Sequence, residues 1–405
     1  MKVVVVGGGA SGMVTAIFQK RLGNDVILIE KNEKLGKKLY ITGKGRCNLC
    51  NDCDEGEFLQ NVVNNSKFLT SAIYSFNPQK TMEFFEELGL SLKTERGNRV
   101  FPVSDKSSDV IKVLQNELIS SKVDVHLNET VIKTSVNSDG IFSIITDKTE
   151  YFADKLIIAT GGITYTSTGS TGDGYLFAKR FGHSVTDTYP SLCGINLLGE
   201  DYKLLQGVTL KNVELKVEDD NKVIFTERGE LLFTHYGVSG PLVLTASALL
   251  CRRKGNKIKL SIDLKPALDK ETLDKRILRD FLEFKNKEIK NSLDKLLPKA
   301  LINLIIDRSK IPPYKKVSQI TSNERLRLIE TIKNLSFDFS SLRGANEAVI
   351  TSGGVCVKEI NPKTMESKLV KNLYFVGEVL DVDAFTGGFN LQIAFSTAHS
   401  AGIDN

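Results

Sequence analysis

The chain opens with KVVVV at residues 2 to 6, breaks at Gly7, Gly8 and Gly9, runs with helical spacing from 10 to 22 and extends again from 25 to 30. An apolar run, a glycine turn, a helix and a second apolar run predict the opening strand, helix and strand of a doubly wound sheet. Helical spacing returns at 66 to 76, 78 to 88 and 107 to 120. VDVHL, ETVIKTSV, GIFSIIT and EYFADKLIIATGG then predict closely spaced strands, which suit a small antiparallel layer beside such a sheet.

From about 190 to 345 the pattern changes. Strand-like stretches at 208 to 218 and 222 to 226, GELLFTHYGVSGPLVL and IKLSIDL at 258 to 264 predict an inserted β-rich domain. Inside it Leu273, Ile277 and Phe281 recur every four residues, as do Ile289, Leu293 and Leu297, and a further helix is predicted at 323 to 335. LYFVGEVLD and TGGFNLQIAFSTAHSAG then restore the opening style of strand, glycine turn and helix. The expected organisation is a discontinuous doubly wound domain at 1–189 and 346–405, a β-rich substrate domain at 190–266 and 336–345, and a helical subdomain at 267–335.

Composition narrows the class. The 405 residues are 41% hydrophobic and 25% charged, as in ordinary globular proteins, and exceed what one core organises. Lys and Arg total 54 against 49 Asp and Glu, a bias of +5 that favours small anionic ligands over nucleic acid. The Lys-rich helices show no interleaving of aromatic and basic residues along the chain, and Arg252, Arg253 and Lys254 read as a solvated face. No apolar run is long enough to span a bilayer, so a cytoplasmic protein with a small-molecule substrate is expected; nothing sets an oligomeric state.

Gly7, Gly9 and Gly12 form GxGxxG between a strand and a helix, and Glu30 ends the next strand. In such a unit the glycines allow a tight turn, close approach of a pyrophosphate and helix–strand packing, while the helix N-terminus attracts phosphate. An acidic residue at 30 suits a ribose diol and disfavours a 2′-phosphate, which leaves FAD or NAD. Two distant segments extend toward a larger cofactor. GKKLYITGKGRCN at 36 to 48 offers backbone amides with Lys37, Lys38, Lys44 and Arg46, and residues 374 to 392 offer Gly377, Glu378 and Asp381 ahead of a helix start at Gly387, Gly388, Phe389 and Asn390. A helix N-terminus there would stabilise negative charge on a reduced flavin ring. ATGG at 159 to 162, with Thr160 and Gly161, ends a strand in small residues that permit close approach of a dinucleotide.

Taken in order, VVGGGASGM, TGKGRCN, RVFPVSDKSSDV, IIATGGITYTSTGSTGDGY, GELLFTHYGVSGP, TMESK and LYFVGEVLDVDAFTGGFNLQ resemble one bacterial family over nearly the whole chain. These are the three-domain NAD(P)/FAD-dependent oxidoreductases, a group that includes aminoacetone oxidases. The resemblance implies an α/β fold: a Rossmann-like, glutathione-reductase-like FAD-binding domain with an inserted β-barrel-like domain and a helical subdomain. It implies FAD held by Gly7, Gly9, Ser11, Gly12 and Glu30 in the first motif, by Lys37, Thr42, Gly43, Arg46 and Asn48 in the second, with Cys47 part of the same pattern, and by Gly161. Later contacts are Gly377, Glu378, Asn390, Leu391 and Gln392, with a backbone contact to adenine from Val131. Hydride transfer to or from flavin N5 follows, as oxidation of an aminoketone or amine or as NAD(P)H-dependent reduction of a carbon–carbon double bond. An RNA-modifying flavoprotein is a further alternative. No second GxGxxG exists, so NAD(P)H would be a transient donor in the substrate cavity.

Three smaller features complete the reading. His235, in LLFTHYGVSGP, is the candidate acid or base, beside Thr234 and Ser239. Asp173 is either a helix N-cap or a residue near the flavin, and Tyr165 either borders the substrate or packs in the core. Cys47, Cys50 and Cys53 are evenly spaced, but Glu57 stands where a ferredoxin-type run needs its next cysteine, so no metal site is expected. Whether Cys50 and Cys53 react with oxidants is the open question of that loop.

Overall fold

The computed structural model describes residues 1–253 and 257–403. Lys254, from the predicted solvated face, lies outside the described residues. The chain forms two compact units, Met1–Ser191 with Gly344–Asn405, and Leu192–Arg343.

The first unit is built on a five-stranded parallel sheet. Strand β1 (Lys2–Val6) lies at its centre, helix α1 (Ala10–Arg21) follows, and β2 (Asp25–Ile29) pairs with β1 in register from Lys2↔Asp25 to Val6↔Ile29. On the other side of β1 lie Lys155–Ile158 and then Leu373–Phe375, while Asp124–His126 closes the far edge beside β2. Val3, Val4 and Val5 are fully buried because the sheet is covered on both faces, which is why the run reads as apolar rather than alternating. The closing helix, Phe389–Gly402, packs on α1 through side chains that reach across the chain: Gln19 Nε2 donates to Ala401 O at 2.6 Å.

The antiparallel layer is smaller than the sequence suggests. Val131–Val136, Phe142–Thr146 and Glu150–Ala153 form it, but Asp124–His126 and Lys155–Ile158 belong to the parallel sheet. The single residue Asp154 is enough to pass from one sheet to the other, so EYFADKLII is two strands and not one.

The second unit is a closed antiparallel barrel of six strands with helices attached. Around the barrel run Ile195–Leu197, Gly237–Ser239, Lys222–Phe233, Thr209–Asp219, Ile258–Asp263 and Leu335–Leu342, which returns to the first. Leu215, Val217, Phe233 and Leu260 fill its interior and belong to one hydrophobic cluster with the helical residues Leu273, Ile277 and Leu328. Lys270–Glu283 is a helix as its spacing predicts, and Ser322–Lys333 starts with a capping box between Thr321 and Glu324.

The repeat Ile289, Leu293, Leu297 does not form an α-helix. Ile289–Asn291 is one 3-10 turn, further turns follow, and the helix proper is Lys299–Arg308, which the four-residue repeat did not announce. All three apolar residues are nonetheless buried, so the core selects the spacing without selecting the helix. Proline at 298 removes an amide donor where a continuous helix would need one. Among the described residues no helix is long and apolar enough to cross a membrane.

Candidate functional site

The glycine turn after β1 is set by steric necessity. A Cβ on Gly12 would lie 1.8 Å from the carbonyl oxygen of Gly7, so only glycine lets α1 start this close to the strand. A Cβ on Gly9 would meet nothing within 4 Å: the chain approaches open space there, at the uncapped N-terminus of a 12-residue helix. That terminus carries amide donors without a side-chain cap, the arrangement that receives phosphate.

Glu30 is 8% exposed and holds the turn from below. Its Oε2 accepts from the Gly8 amide at 2.7 Å, and its Oε1 accepts from the Asn32 amide at 2.8 Å and Asn32 Nδ2 at 2.6 Å. Three of about four carboxylate lone-pair positions are thereby used, leaving one for a ribose hydroxyl. The Glu129 amide donates to Glu30 O at 3.1 Å, which brings the start of the Val131 strand alongside.

The C-terminal segment meets this turn directly. Gly377 has φ +73°, and a Cβ on it would lie 2.6 Å from Ser11 Oγ; its amide donates to Thr397 Oγ1 at 2.9 Å. Glu378, the next residue, forms an ion pair with Lys38, Nζ to Oε2 2.7 Å, while Lys38 also donates to Thr164 Oγ1 at 2.8 Å. The Thr351 amide donates to Glu378 Oε1 at 2.9 Å, and Thr351 Oγ1 accepts from the Ile163 amide at 2.9 Å. Lys38 and Glu378 thus tie together the loop after β2, the segment after ATGG and the GEV turn. Thr351 escaped the sequence reading, although the glycine pair that follows it, in ITSGG, marked a close approach of backbones.

The stretch from Thr42 to Cys53 is stapled at both ends. The Cys47 amide donates to Thr42 O at 3.1 Å, Gly43 turns with φ +56°, and Cys50–Asn51 pairs with Arg99–Val100. A Cβ on Gly388 would lie 2.4 Å from the Cys50 carbonyl, so the start of the last helix rests on the cysteine loop. Cys47, Cys50 and Cys53 are all buried, and burial pushes the Cys47 and Cys53 thiols up to about 12 and raises Cys50 as well. These are thiols packed as small apolar groups, not poised nucleophiles. Among the described residues no group of His, Cys, Asp and Glu is arranged to hold a metal.

Other sequence candidates face protein partners. Lys37 pairs with Glu33 at 3.2 Å. Arg46 Nε donates to Asp105 Oδ1 at 2.8 Å, and its guanidinium stacks 4.1 Å from the Phe101 ring centroid. Hydrogen bonds from Lys93 and Arg46 hold the Asp105 carboxyl below its usual range. Asn390 pins its own loop, Oδ1 accepting from the Ala384 amide at 3.0 Å, and Gln392 Nε2 turns inward to Thr81 Oγ1 at 2.8 Å. The Asp381 carbonyl accepts from Asn65 Nδ2 at 2.6 Å. Leu391 is half-buried in the first turn of the last helix. Gly172 takes the N-cap, one of the two alternatives for Asp173, which lies in the first turn and pairs with Lys31 at 2.7 Å. Tyr165 is half-buried with φ +52°. His235 lies in the second unit, exposed, its ring edge-on to Tyr236 with centroids 5.0 Å apart.

Two observations show that the first unit fits FAD. The open approach at Gly9 stands at an uncapped helix start, and Asn48 Oδ1 and Thr160 Oγ1 are buried with no hydrogen-bond partner in the protein. Asn48 belongs to the segment expected to reach toward the flavin, and Thr160 to the strand end expected at the dinucleotide. Gly161, next to Thr160, has φ +72° and turns the chain there.

Fold and cradle together define a flavoprotein of the doubly wound class. A family model described as HI0933-like protein Rossmann domain matches residues 1–404, and the chain belongs to that family. It is an FAD-dependent oxidoreductase. It is 30% identical over 410 residues to a 3-dehydro-bile acid delta(4,6)-reductase of Clostridium scindens, covering 99% of this chain and 98% of that one. It is equally 30% identical over 405 residues to a ribosomal RNA dihydrouridine synthase of Escherichia coli, covering 99% and 97%. Among solved structures it resembles the 3-ketosteroid-delta4-(5alpha)-dehydrogenase of Rhodococcus jostii, at 14% identity and TM-score 0.53, over 99% of this chain and 96% of that one.

Proposed function

We propose that the protein is a reductase that saturates a ring carbon–carbon double bond conjugated to a carbonyl. The observation that carries this reading is that two relatives, each matched over nearly its full length, bear names for the saturation of such a bond, one in a steroid and one in a uracil ring. FAD, when bound and reduced by NAD(P)H, would supply a hydride from N5.

The chain's own groups then have separate tasks. The amides at the start of α1 would hold the pyrophosphate, and the remaining acceptor position of Glu30 a ribose hydroxyl. Asn48 and Thr160 would hold polar edges of the ring system with their buried oxygens, and the uncapped start of the Phe389–Gly402 helix would favour negative charge. Hydride addition to one carbon requires a proton at its neighbour, and His235 is the proposed donor, replaceable by Asn as a test.

Anaerobic titration of the holoenzyme, followed at the flavin band near roughly 450 nm, distinguishes the readings. NAD(P)H should bleach the band and a cyclic enone should restore it. Bleaching by an aminoketone, with no response to NAD(P)H, would replace the reductase by the aminoketone oxidase that the family resemblance suggested. A second reading keeps the chemistry and changes the carrier: the double bond is that of a uracil in RNA, favoured by the dihydrouridine synthase relative.

A further inference from the structure

Within the second unit, residues 285–290 and 313–318 run antiparallel as an irregular ribbon. The Ile289 amide donates to Lys315 O at 2.9 Å, the Val317 amide to Lys287 O at 2.9 Å and the Ser318 amide to Lys285 O at 3.3 Å, with a bridge between Glu288 and Lys316. Ile289 and Val317 are buried and anchor the ribbon, while Lys285, Lys287, Tyr314 and Lys316 are exposed.

The charges on this ribbon are unevenly satisfied. Lys315 is neutralised by Glu324, Nζ to Oε1 2.8 Å, and Lys290 by Glu288 at 3.2 Å. The nearby Lys295 is paired with Glu283, and Asp294 is exposed. Lys285, Lys287 and Lys316 have no ion pair among the described residues. Beside them Tyr314 is 69% exposed, with Lys290 Nζ 4.0 Å from its ring centroid, and Lys287 Nζ lies 4.3 Å from the half-buried Phe284 ring. Phe284 and Lys287 are already neighbours along the chain, and folding adds to them a cross-ribbon contact of Lys290 with Tyr314.

Unpaired lysines next to an exposed ring have one chemical complement: a flexible polyanion that also carries flat π faces. We propose that this ribbon is a docking surface for single-stranded RNA, with Lys285, Lys287 and Lys316 on phosphates and Tyr314 stacked on a base. A lipid surface would engage the lysines but has no use for stacking. The proposal deepens the RNA reading of the substrate and rests on it for the ligand, but its test requires no turnover.

The test is fluorescence anisotropy of a labelled mixed-sequence oligoribonucleotide titrated with FAD-loaded full-length protein. Three phosphate contacts predict that log K falls against log salt with a slope of about −2. Tyr314→Ala should weaken binding about tenfold with that slope unchanged. Lys316→Glu and Lys287→Glu should each flatten the slope, and the triple variant with Lys285→Glu should lose binding about a hundredfold while keeping its flavin spectrum. If the triple variant fails to fold, the single variants still decide. The proposal is overturned if the oligoribonucleotide does not bind at low salt, if these variants bind like the parent, or if anionic phosphatidylserine vesicles bind through the same lysines and RNA does not. Binding without reduction of uracil would retain the docking surface and remove the RNA substrate reading; enone reduction without RNA binding would remove both and leave the small-molecule reductase.

Discussion

The two units use polar residues in opposite ways. In the flavin unit Glu30, Glu378 and Thr351 are drawn inward, and each makes hydrogen bonds that hold two or three chain segments together. In the inserted unit the barrel interior is apolar and many charges sit on the surface, as Lys275–Glu271 and Lys270–Glu330 do, in pairs worth little to stability, while the few buried carboxylates, Asp280 and Glu324, lie in the attached helices against Arg276 and Lys315. A site for a buried cofactor needs polar groups fixed before the ligand arrives; a surface for a mobile partner needs them free.

The contrast can be broken most severely at the glycine turn. Gly12→Ala should give no soluble yellow protein, whereas Gly9→Ala should fold and keep its melting temperature within a few degrees, yet bind FAD about a hundredfold more weakly, as read by flavin fluorescence. Equal behaviour of the two variants would mean that Gly9 does not face the cofactor. The buried thiols come next. With pKa values raised to about 12, Cys47 and Cys53 should label about a thousandfold more slowly than a free thiol at pH 8, while the partly exposed Cys356 reacts first. Thiol counts in folded and denatured protein check this.

In the barrel, Phe233→Ala removes a fully buried ring and should cost about 3–5 kcal/mol in urea unfolding. The isolated holoprotein should keep its flavin, because no cradle residue is touched. Lys38→Met, in the flavin unit, should raise the dissociation constant for FAD about tenfold, since it leaves the Glu378 carboxylate without its cation. The pairing is only partly buried, and a larger effect on overall stability than on FAD would make it a structural strut.

The smallest effect concerns acid. His399 stacks on Phe76 at 4.6 Å, and burial, aided by Lys80, lowers its pKa to about 4. A folded-state pKa below the unfolded value near 6.5 means that stability is complete above pH 6.5 and declines as pH falls toward 4. Between pH 7 and 5.5 the loss should be about 1 kcal/mol after allowance for the partial exposure of the ring, and His399→Phe should remove it. Thermal melts across that range supply the comparison.

How much the sequence disclosed follows from the same contrast. Gly7 and Gly12 were legible because a backbone that must nearly touch another backbone admits one residue type. The repeat at Ile289, Leu293 and Leu297 misled because burial fixes which positions are apolar, and a 3-10 turn followed by other turns can bury them as well as a helix does. Arg46 was legible as a cation but not as a cation already held by Asp105, 59 residues on, which only the fold brings near. Tyr314 and Lys290 escaped for the same reason: their neighbourhood belongs to the ribbon, not to either segment.

The closing helix has a bearing on how the protein is made. Gln19 finds its partner 382 residues downstream, and the Cys50 loop lies against Gly388. While a ribosome is still translating the inserted barrel, the sheet lacks its Leu373–Phe375 strand and α1 lacks the helix it packs on. A nascent chain stalled before residue 373 therefore exposes apolar faces that the finished protein covers.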